Sequence, residues 1–200
     1  MSYVTAGDAR LEYTWLGPPP GGAPTLVFLH EGLGSLAMWR GFPERVVEEV
    51  GYGALVYSRA GYGNSQEIEL PRTVRFMHDE ALITLPQVLD EFAISQAILV
   101  GDSDGGSIAL INAGGAGDDR VRGLILMAPH VFVEETGLQS IRSLAAAYRN
   151  EDQKLKQRWD AITSRTSIRR SGAGMMFGLI PSFVPGTSKR IYRRYACPCS

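Results

Sequence analysis

The stretch AILVGDSDGGSIALI, from Ala97 to Ile111, decides how the chain folds, because it joins an apolar run, a glycine-rich turn and a helical pattern. The run ILV is typical of a buried parallel strand, and the residues from Gly105 onward open a helix. The glycines of the turn lack a Cβ, so strand and helix can approach closely around Ser103 at its tip. The stretch therefore predicts a strand, a sharp turn and a helix, with the Ser103 hydroxyl pointing outward.

The pentad GDSDG, residues 101–105, satisfies the pattern G-x-S-x-G. The pattern alone is weak evidence because glycine and serine are common in this chain, and an ordinary tight turn is the alternative. Its position between a predicted strand and a predicted helix makes it informative. The N–H groups and the dipole at the start of that helix favour a developing negative charge. We therefore interpret Ser103 as a nucleophile.

A second glycine-rich loop follows another apolar run. Thr25 to Leu29, TLVFL, predicts a central parallel strand, and it ends in HEGLGS, residues 30–35. A loop of this kind can direct backbone N–H groups into a cleft, as a tetrahedral oxyanion requires. Gly32 or its neighbour Leu33 is the predicted donor. The alternative is a glycine loop that only turns the chain.

The order of the remaining elements predicts an α/β fold. Val4–Thr5 and Leu11–Leu16 indicate an antiparallel pair of short strands with a turn at Gly7. The alternation of strands and helices that follows predicts a mostly parallel sheet with flanking helices and right-handed crossovers. The other predicted strands are Ala54–Tyr57, which leads into SRAGYGNS at residues 58–65, and Gly123–Met127. The predicted helices are Met38–Val50, Thr73–Phe92 with an interruption or a kink near Pro86, and Glu134–Asn150.

Four polar side chains at the carboxyl ends of these strands are predicted to line a pocket: His30, Glu31, Asp102 and His130. Open α/β sheets place their binding crevice at this edge. For His130 the alternative is a histidine that is only hydrogen-bonded within its loop. The sequence gives no reason to assign His130 as the general base.

Composition narrows the function classes. The chain has 200 residues, 44% of them hydrophobic, and a net charge of −1, which is typical of one globular domain and indicates no nucleic-acid partner. The N-terminus lacks the pattern of a secretory signal, and no apolar run is long enough to span a membrane, so we expect a cytoplasmic protein. The only cysteines are Cys197 and Cys199, so neither a disulfide framework nor a zinc site is expected. No metal or other cofactor is predicted.

With these loops identified, the chain resembles the α/β-hydrolase family from Ser2 to about Trp159, through the motifs HEGLGS, SRAGYGNS and GDSDGG. The resemblance implies the α/β-hydrolase fold with Ser103 as the nucleophile. It also implies two oxyanion donors, the N–H of Asp104 and the N–H of Gly32 or Leu33. The implied substrate is a small molecule with an ester, a lactone or a C–C bond in a dicarbonyl compound.

The sequence departs from the family in two places. Asp102 stands where many relatives carry histidine, and its carboxylate would disfavour a neighbouring oxyanion. The family also implies an acid and a histidine later in the chain, but no histidine follows His130 and no Asp or Glu occurs from Ala161 onward. We therefore assign residues 1–159 to the N-terminal part of the hydrolase core and the start of a lid, and 160–200 to an atypical basic tail. The fold is expected to be incomplete at the C-terminus.

A shift of reading frame is our hypothesis for the tail. Read one base out of frame, the codons from Ala161 onward can encode a segment with acids, tryptophans and helical spacing, similar to a hydrolase lid. The alternative is a short relative with a diverged tail. The nucleotide sequence would distinguish the two.

Two other functions compete with a serine hydrolase. One is a catalytically inactive, truncated or non-enzymatic binding protein on the same scaffold. The other is a dinucleotide-binding protein, which the sequence disfavours because no G-x-G-x-x-G follows the first parallel strand at Thr25–Leu29.

Overall fold

A single six-stranded sheet holds the site-bearing loops in the computed structural model, which describes residues 2–69, 72–115, 117–132 and 134–149. The strands are β1 (Ser2–Ala6), β2 (Ala9–Leu16), β3 (Thr25–Leu29), β4 (Ala54–Tyr57), β5 (Ala97–Asp102) and β6 (Val121–Met127). The α-helices are α1 (Phe42–Val50), α2 (Phe76–Asp79), α3 (Leu85–Glu91), α4 (Asp104–Gly115) and α5 (Glu135–Arg149). The predicted α/β class is confirmed.

The strand order is β1-β2-β4-β3-β5-β6, and β4, β3, β5 and β6 run parallel. After β3 the chain crosses to β4 on one side and then returns to form β5 on the other side. The loops that leave β3 and β5 therefore diverge from adjacent strand ends, where open α/β sheets form a crevice. Because Leu29 pairs with Gly101, the HEGLGS loop starts beside the serine turn.

The antiparallel strands β1 and β2 form the predicted hairpin. Ala6 pairs with Ala9, and Gly7 in the turn between them has a φ of +59°, a conformation that glycine adopts without strain. Strand β2 then pairs antiparallel with β4. The hairpin thus extends the parallel part of the sheet on the side away from the serine turn.

Strand β3 supplies side chains to both faces of the sheet, as its unbroken apolar sequence predicts. Val27 and Leu29 pack with residues of α3 and α4, while Leu26 and Phe28 pack on the opposite face with residues of α1. All five residues of this strand are buried. Each fully buried Val, Leu or Phe side chain contributes about 1.5–3 kcal/mol, so this strand anchors the sheet between two helical layers.

Two predicted helices differ in detail. Met38–Val50 is divided into a 3₁₀ turn at Leu36–Trp39 and helix α1. Thr73–Phe92 becomes α2, a π-helical segment at Glu80–Thr84 and α3. The wide turn lies directly before Pro86, which has no N–H to donate to the preceding helical turn. The helix is therefore interrupted near Pro86, where the sequence predicts an interruption or a kink.

The predicted basic tail at 160–200 and the domain boundary before it lie outside the described residues, so the frame-shift hypothesis stays a prediction. Within the described ranges, no helix combines the length and the apolar character needed to cross a bilayer.

Candidate active site

Ser103 is the single residue between the end of β5 and the start of α4, and its φ is +52°. Positive φ is uncommon and strained for a residue with a Cβ, and such strain is frequent at functional sites. The Ser103 N–H donates to the Met127 carbonyl at 2.8 Å, and the Ser103 carbonyl accepts from the Ser107 N–H at 3.0 Å. Hydrogen bonds on both sides therefore hold the strained backbone in place.

Two glycines around Ser103 are required because a side chain at either position would clash with the backbone. A Cβ on Gly101 would lie 2.5 Å from the Gly105 carbonyl oxygen, and a Cβ on Gly105 would overlap the Leu29 carbonyl. The first glycine lets β5 meet α4, and the second lets α4 meet the end of β3. The close approach predicted from the sequence is confirmed.

His130 lies within hydrogen-bond distance of Ser103: its Nε2 is 3.0 Å from the Ser103 Oγ. The chain reaches this position through Ala128, whose φ is +46°, directly after β6. Strand β6 pairs with β5, with Met127 opposite Asp102, so the loops that follow the two strands are neighbours. The sequence placed His130 on this rim but gave no reason to pair it with the serine.

Ser107 is a site residue that the sequence analysis missed. Its Oγ accepts a hydrogen bond from the His130 N–H at 2.9 Å and lies 2.8 Å from the His130 carbonyl oxygen, to which it donates. Ser107 lies one helical turn after Ser103 on α4, and that spacing is the one signal in the sequence that could have indicated it.

The loop after β3 lies directly against the serine turn. A Cβ on Gly32 would be 2.6 Å from the Asp104 Oδ2, so the loop and the turn are in contact through this carboxylate. The Leu33 N–H donates to the Glu31 Oε2 at 2.8 Å and is therefore already used. Within the part of the chain that the structure describes, the Gly32 N–H has no such acceptor. Of the two predicted donors, Gly32 is the one available to a ligand.

Arg59 is a second site residue that the sequence did not indicate, and its side chain binds the backbone of the loop after β3. Its guanidinium Nη2 donates to the carbonyl oxygens of Glu31 at 2.9 Å and His30 at 3.2 Å. The side chain is 1% exposed. The predicted motif SRAGYGNS thus contributes a buried arginine that fixes the backbone of the neighbouring loop.

His30 is buried and binds the backbone of the loop after β3. Its Nε2 accepts from the Arg59 N–H at 3.1 Å, so the Nδ1, 2.7 Å from the Glu31 carbonyl oxygen, carries the proton and donates it. Burial, assisted by the positive charge of Arg59, holds the pKa of His30 well below its usual value, so the ring is neutral.

The cavity beside Ser103 has a volume of about 180 Å³. It is lined by residues of the β3 loop, the serine turn, the loop after β6 and α5, among them Glu31, Gly32, Ser103, Asp104, His130 and Leu138. Of the four side chains predicted to line a pocket, Glu31 and His130 are at this cavity, whereas His30 and Asp102 are not among its lining residues.

Two carboxylates that line the cavity, those of Asp104 and Glu31, have raised pKa values. Burial raises the pKa of Asp104, and the Arg59 charge opposes this rise only in part. Burial also raises the pKa of Glu31, with the hydrogen bond from Leu33 opposing it. In the described ranges, no group of three or more His, Cys, Asp or Glu side chains is arranged to hold a metal ion.

Comparison with known proteins identifies the fold of this chain. The family model of the alpha/beta hydrolase fold matches residues 24–195. No curated protein sequence matches the chain. Similar solved structures include a carboxylesterase structure from Nitrososphaera gargenis, with 15% identity and a TM-score of 0.71 over 98% of this chain and 77% of that one.

Two other similar structures are hydrolases of different bonds. The enol-lactonase of Burkholderia xenovorans LB400 has 19% identity and a TM-score of 0.64 over 91% of this chain and 73% of that one. The 2-hydroxy-6-oxo-6-phenylhexa-2,4-dienoate hydrolase of Rhodococcus sp. strain RHA1 has 17% identity and a TM-score of 0.69, over 93% of this chain and 75% of that one. At these identities the similarity establishes the fold.

Proposed function

Since the chain belongs to the alpha/beta hydrolase fold family, we propose that it is a hydrolase of a small molecule in which Ser103 is the nucleophile. The observation that carries the proposal is the 3.0 Å distance between the Ser103 Oγ and the His130 Nε2, on a backbone held at positive φ. A nucleophilic hydroxyl needs a base within hydrogen-bond reach, and this pair meets that condition.

In the proposed reaction the Ser103 Oγ attacks the substrate carbonyl carbon while the His130 Nε2 takes the hydroxyl proton. The carbonyl oxygen becomes an oxyanion, to which the N–H groups of Asp104 and Gly32 donate. As the tetrahedral intermediate collapses, His130 returns the proton to the leaving group and an acyl-serine remains. Water then attacks the acyl carbon with His130 as base, and the acid and the free serine are regenerated.

The assignment of His130 as the base goes beyond the sequence analysis. The chain has three histidines, and the structure places His30 under the β3 loop and His78 in helix α2. His130 is the one hydrogen-bonded to the serine, and Ser107 holds its backbone. It therefore takes, in our proposal, the role that the family resemblance assigns to a histidine later in the chain.

The bond that is hydrolysed is proposed as an ester, a lactone or a C–C bond of a dicarbonyl compound. The similar structures include enzymes of each kind, namely a carboxylesterase, an enol-lactonase and a dienoate hydrolase. Of these, an ester requires the least of the site, because the serine, the base and two N–H donors suffice.

A fluorophosphonate probe tests the nucleophile in the 200-residue chain. We expect a covalent adduct on the peptide that contains Ser103, detected by mass spectrometry, and none in Ser103→Ala. His130→Gln should slow labelling about 100-fold, the lower end of what general base catalysis contributes. Circular dichroism shows whether the protein is folded. If folded protein is not labelled, the proposal fails and a binding protein on the same scaffold is favoured. Equal labelling rates in wild type and His130→Gln would remove His130 from the mechanism.

A further inference from the structure

The carboxylates on the wall of the cavity beside Ser103 are set among apolar side chains. The charged lining residues are Glu31, Asp104 and Glu134, with His130 beside the serine, and no Arg or Lys of the described ranges lines the cavity. The other lining side chains are apolar: Leu33, Phe132, Leu138 and Ile141. A substrate in this cavity would therefore meet hydrocarbon and negative charge.

The Asp104 carboxylate is the most enclosed of these groups. The residue is 5% exposed, and its Oδ2 has no hydrogen-bond partner among the described residues. Arg59 lies next to the loop with its Nη2 bound to two carbonyl oxygens, and its positive charge opposes only in part the effect of burial, which raises the pKa of Asp104. The Asp104 Oδ2 is fully buried, so its charge acts on a substrate through the protein interior and not through direct contact.

Glu31 places a second carboxylate at a fixed position. Its Oε2 accepts from the Leu33 N–H, which holds the side chain within the loop that also presents Gly32. Glu134 lies at the exposed mouth of the same cavity, directly before α5. Negative charge thus extends from the mouth to the neighbourhood of the proposed oxyanion.

We infer that this site selects neutral or cationic substrates and rejects those that carry a carboxylate or phosphate near the reacting carbonyl. The inference rests on the proposed function of Ser103. An anionic substituent would be repelled by Glu31, Asp104 and Glu134, and the oxyanion that forms beside it would add to the repulsion. A cationic substituent would be attracted by the same three groups.

Three p-nitrophenyl esters of similar length test the inference. They are the esters of pentanoic acid, of glutaric acid with one carboxylate free, and of γ-trimethylammoniobutyric acid, which are neutral, anionic and cationic. The measurement is kcat/KM at low ionic strength, or the rate of the p-nitrophenol burst if deacylation is slow, after the rate of each ester in buffer alone has been subtracted. We expect the anionic ester to react about tenfold more slowly than the neutral one, and the cationic ester at least as fast as the neutral one.

Two variants and a matched control test whether the acidic residues at the cavity cause the difference in rate between the esters. Glu31→Gln keeps an oxygen for the Leu33 N–H and removes the charge, while Glu134→Gln changes an exposed position where folding is not at risk. Each should narrow the ratio between the neutral and anionic esters severalfold. Glu49→Gln, on the exposed face of α1, changes the net charge equally and should leave the ratio unchanged.

The outcomes are distinguishable. Equal rates for the three esters, a preference for the anionic ester, or an identical shift in Glu49→Gln would overturn charge selection while Ser103 remains the nucleophile. No burst with any ester, together with no phosphonate adduct on Ser103, would instead overturn the proposed function, and the inference with it.

Discussion

The hydroxyl of Ser107 bonds to both backbone polar groups of His130, at 2.9 Å from its nitrogen and 2.8 Å from its oxygen. The same hydroxyl lies 3.4 Å from the carbonyl oxygen of Ser103. The helix that begins next to the proposed nucleophile therefore also fixes the loop that carries the proposed base. A single buried side chain thus links the two segments that carry the reacting groups.

Ser107→Ala should lower kcat about 100-fold with little change in KM, because a displacement of about 1 Å in the base can cost that much. The free energy of unfolding should fall by about 1–2 kcal/mol through the lost hydrogen bonds. Steady-state kinetics with a p-nitrophenyl ester and urea denaturation check both. Ser140→Ala, an exposed serine on α5 whose hydroxyl donates to the Thr136 carbonyl, is the control and should change neither. Unchanged kcat in Ser107→Ala would show that the bonds to His130 are not needed for activity.

Gly105→Ala should prevent folding or lower the free energy of unfolding by more than about 3 kcal/mol, because the new Cβ overlaps the Leu29 carbonyl. Helix propensity alone would predict a higher free energy of unfolding, because alanine favours a helix more than glycine does. Gly114→Ala lies in the same helix with open space around it, and should stabilise the protein by up to about 1 kcal/mol. Urea denaturation of both variants is the measurement. Two changes of the same sign would contradict the close approach of α4 to β3.

Arg59→Met should destabilise the protein by about 2 kcal/mol or more, because two carbonyl oxygens lose their charged donor inside the fold. The phosphonate labelling rate of the remaining folded protein should also fall, since the loop that presents Gly32 is no longer fixed. Arg45→Met, an exposed arginine on α1, is the matched control. A labelling rate equal to that of wild type would mean that Arg59 supports only the fold.

The free energy of unfolding of Asp104→Asn, relative to that of wild type, should increase as the pH rises. Burial raises the pKa of Asp104 above 3.8 in the folded state, so the folded protein holds this proton more tightly than the unfolded chain does. Its contribution to stability is complete below pH 3.8 and is lost as the pH rises through the raised pKa. The difference in urea midpoint between variant and wild type, measured at several pH values, shows this. Asp119→Asn, at an exposed position, is the control for the loss of one carboxylate. A difference that shrinks with rising pH would contradict the raised pKa.

Local patterns were enough for the parts of the fold that depend on neighbouring residues. TLVFL predicted the buried strand β3, and GDSDGG predicted the turn at Ser103, because an apolar run and a set of glycines restrict the backbone without help from distant residues. The Gly7 turn and the interruption of the helix near Pro86 were predicted for the same reason. In each case the physical cause lies within a few residues of its effect.

The sequence by itself determined which residues stand at the carboxyl ends of the strands. Only the tertiary structure decided that His130 meets Ser103, that Arg59 binds the loop after β3, and that Glu31 takes the Leu33 N–H and leaves Gly32 for a ligand. The first two contacts join residues 27 and 28 positions apart, and they depend on which strands are adjacent. The third depends on the direction of one side chain. Strand order and side-chain direction are set by packing of the whole sheet, which no local pattern encodes.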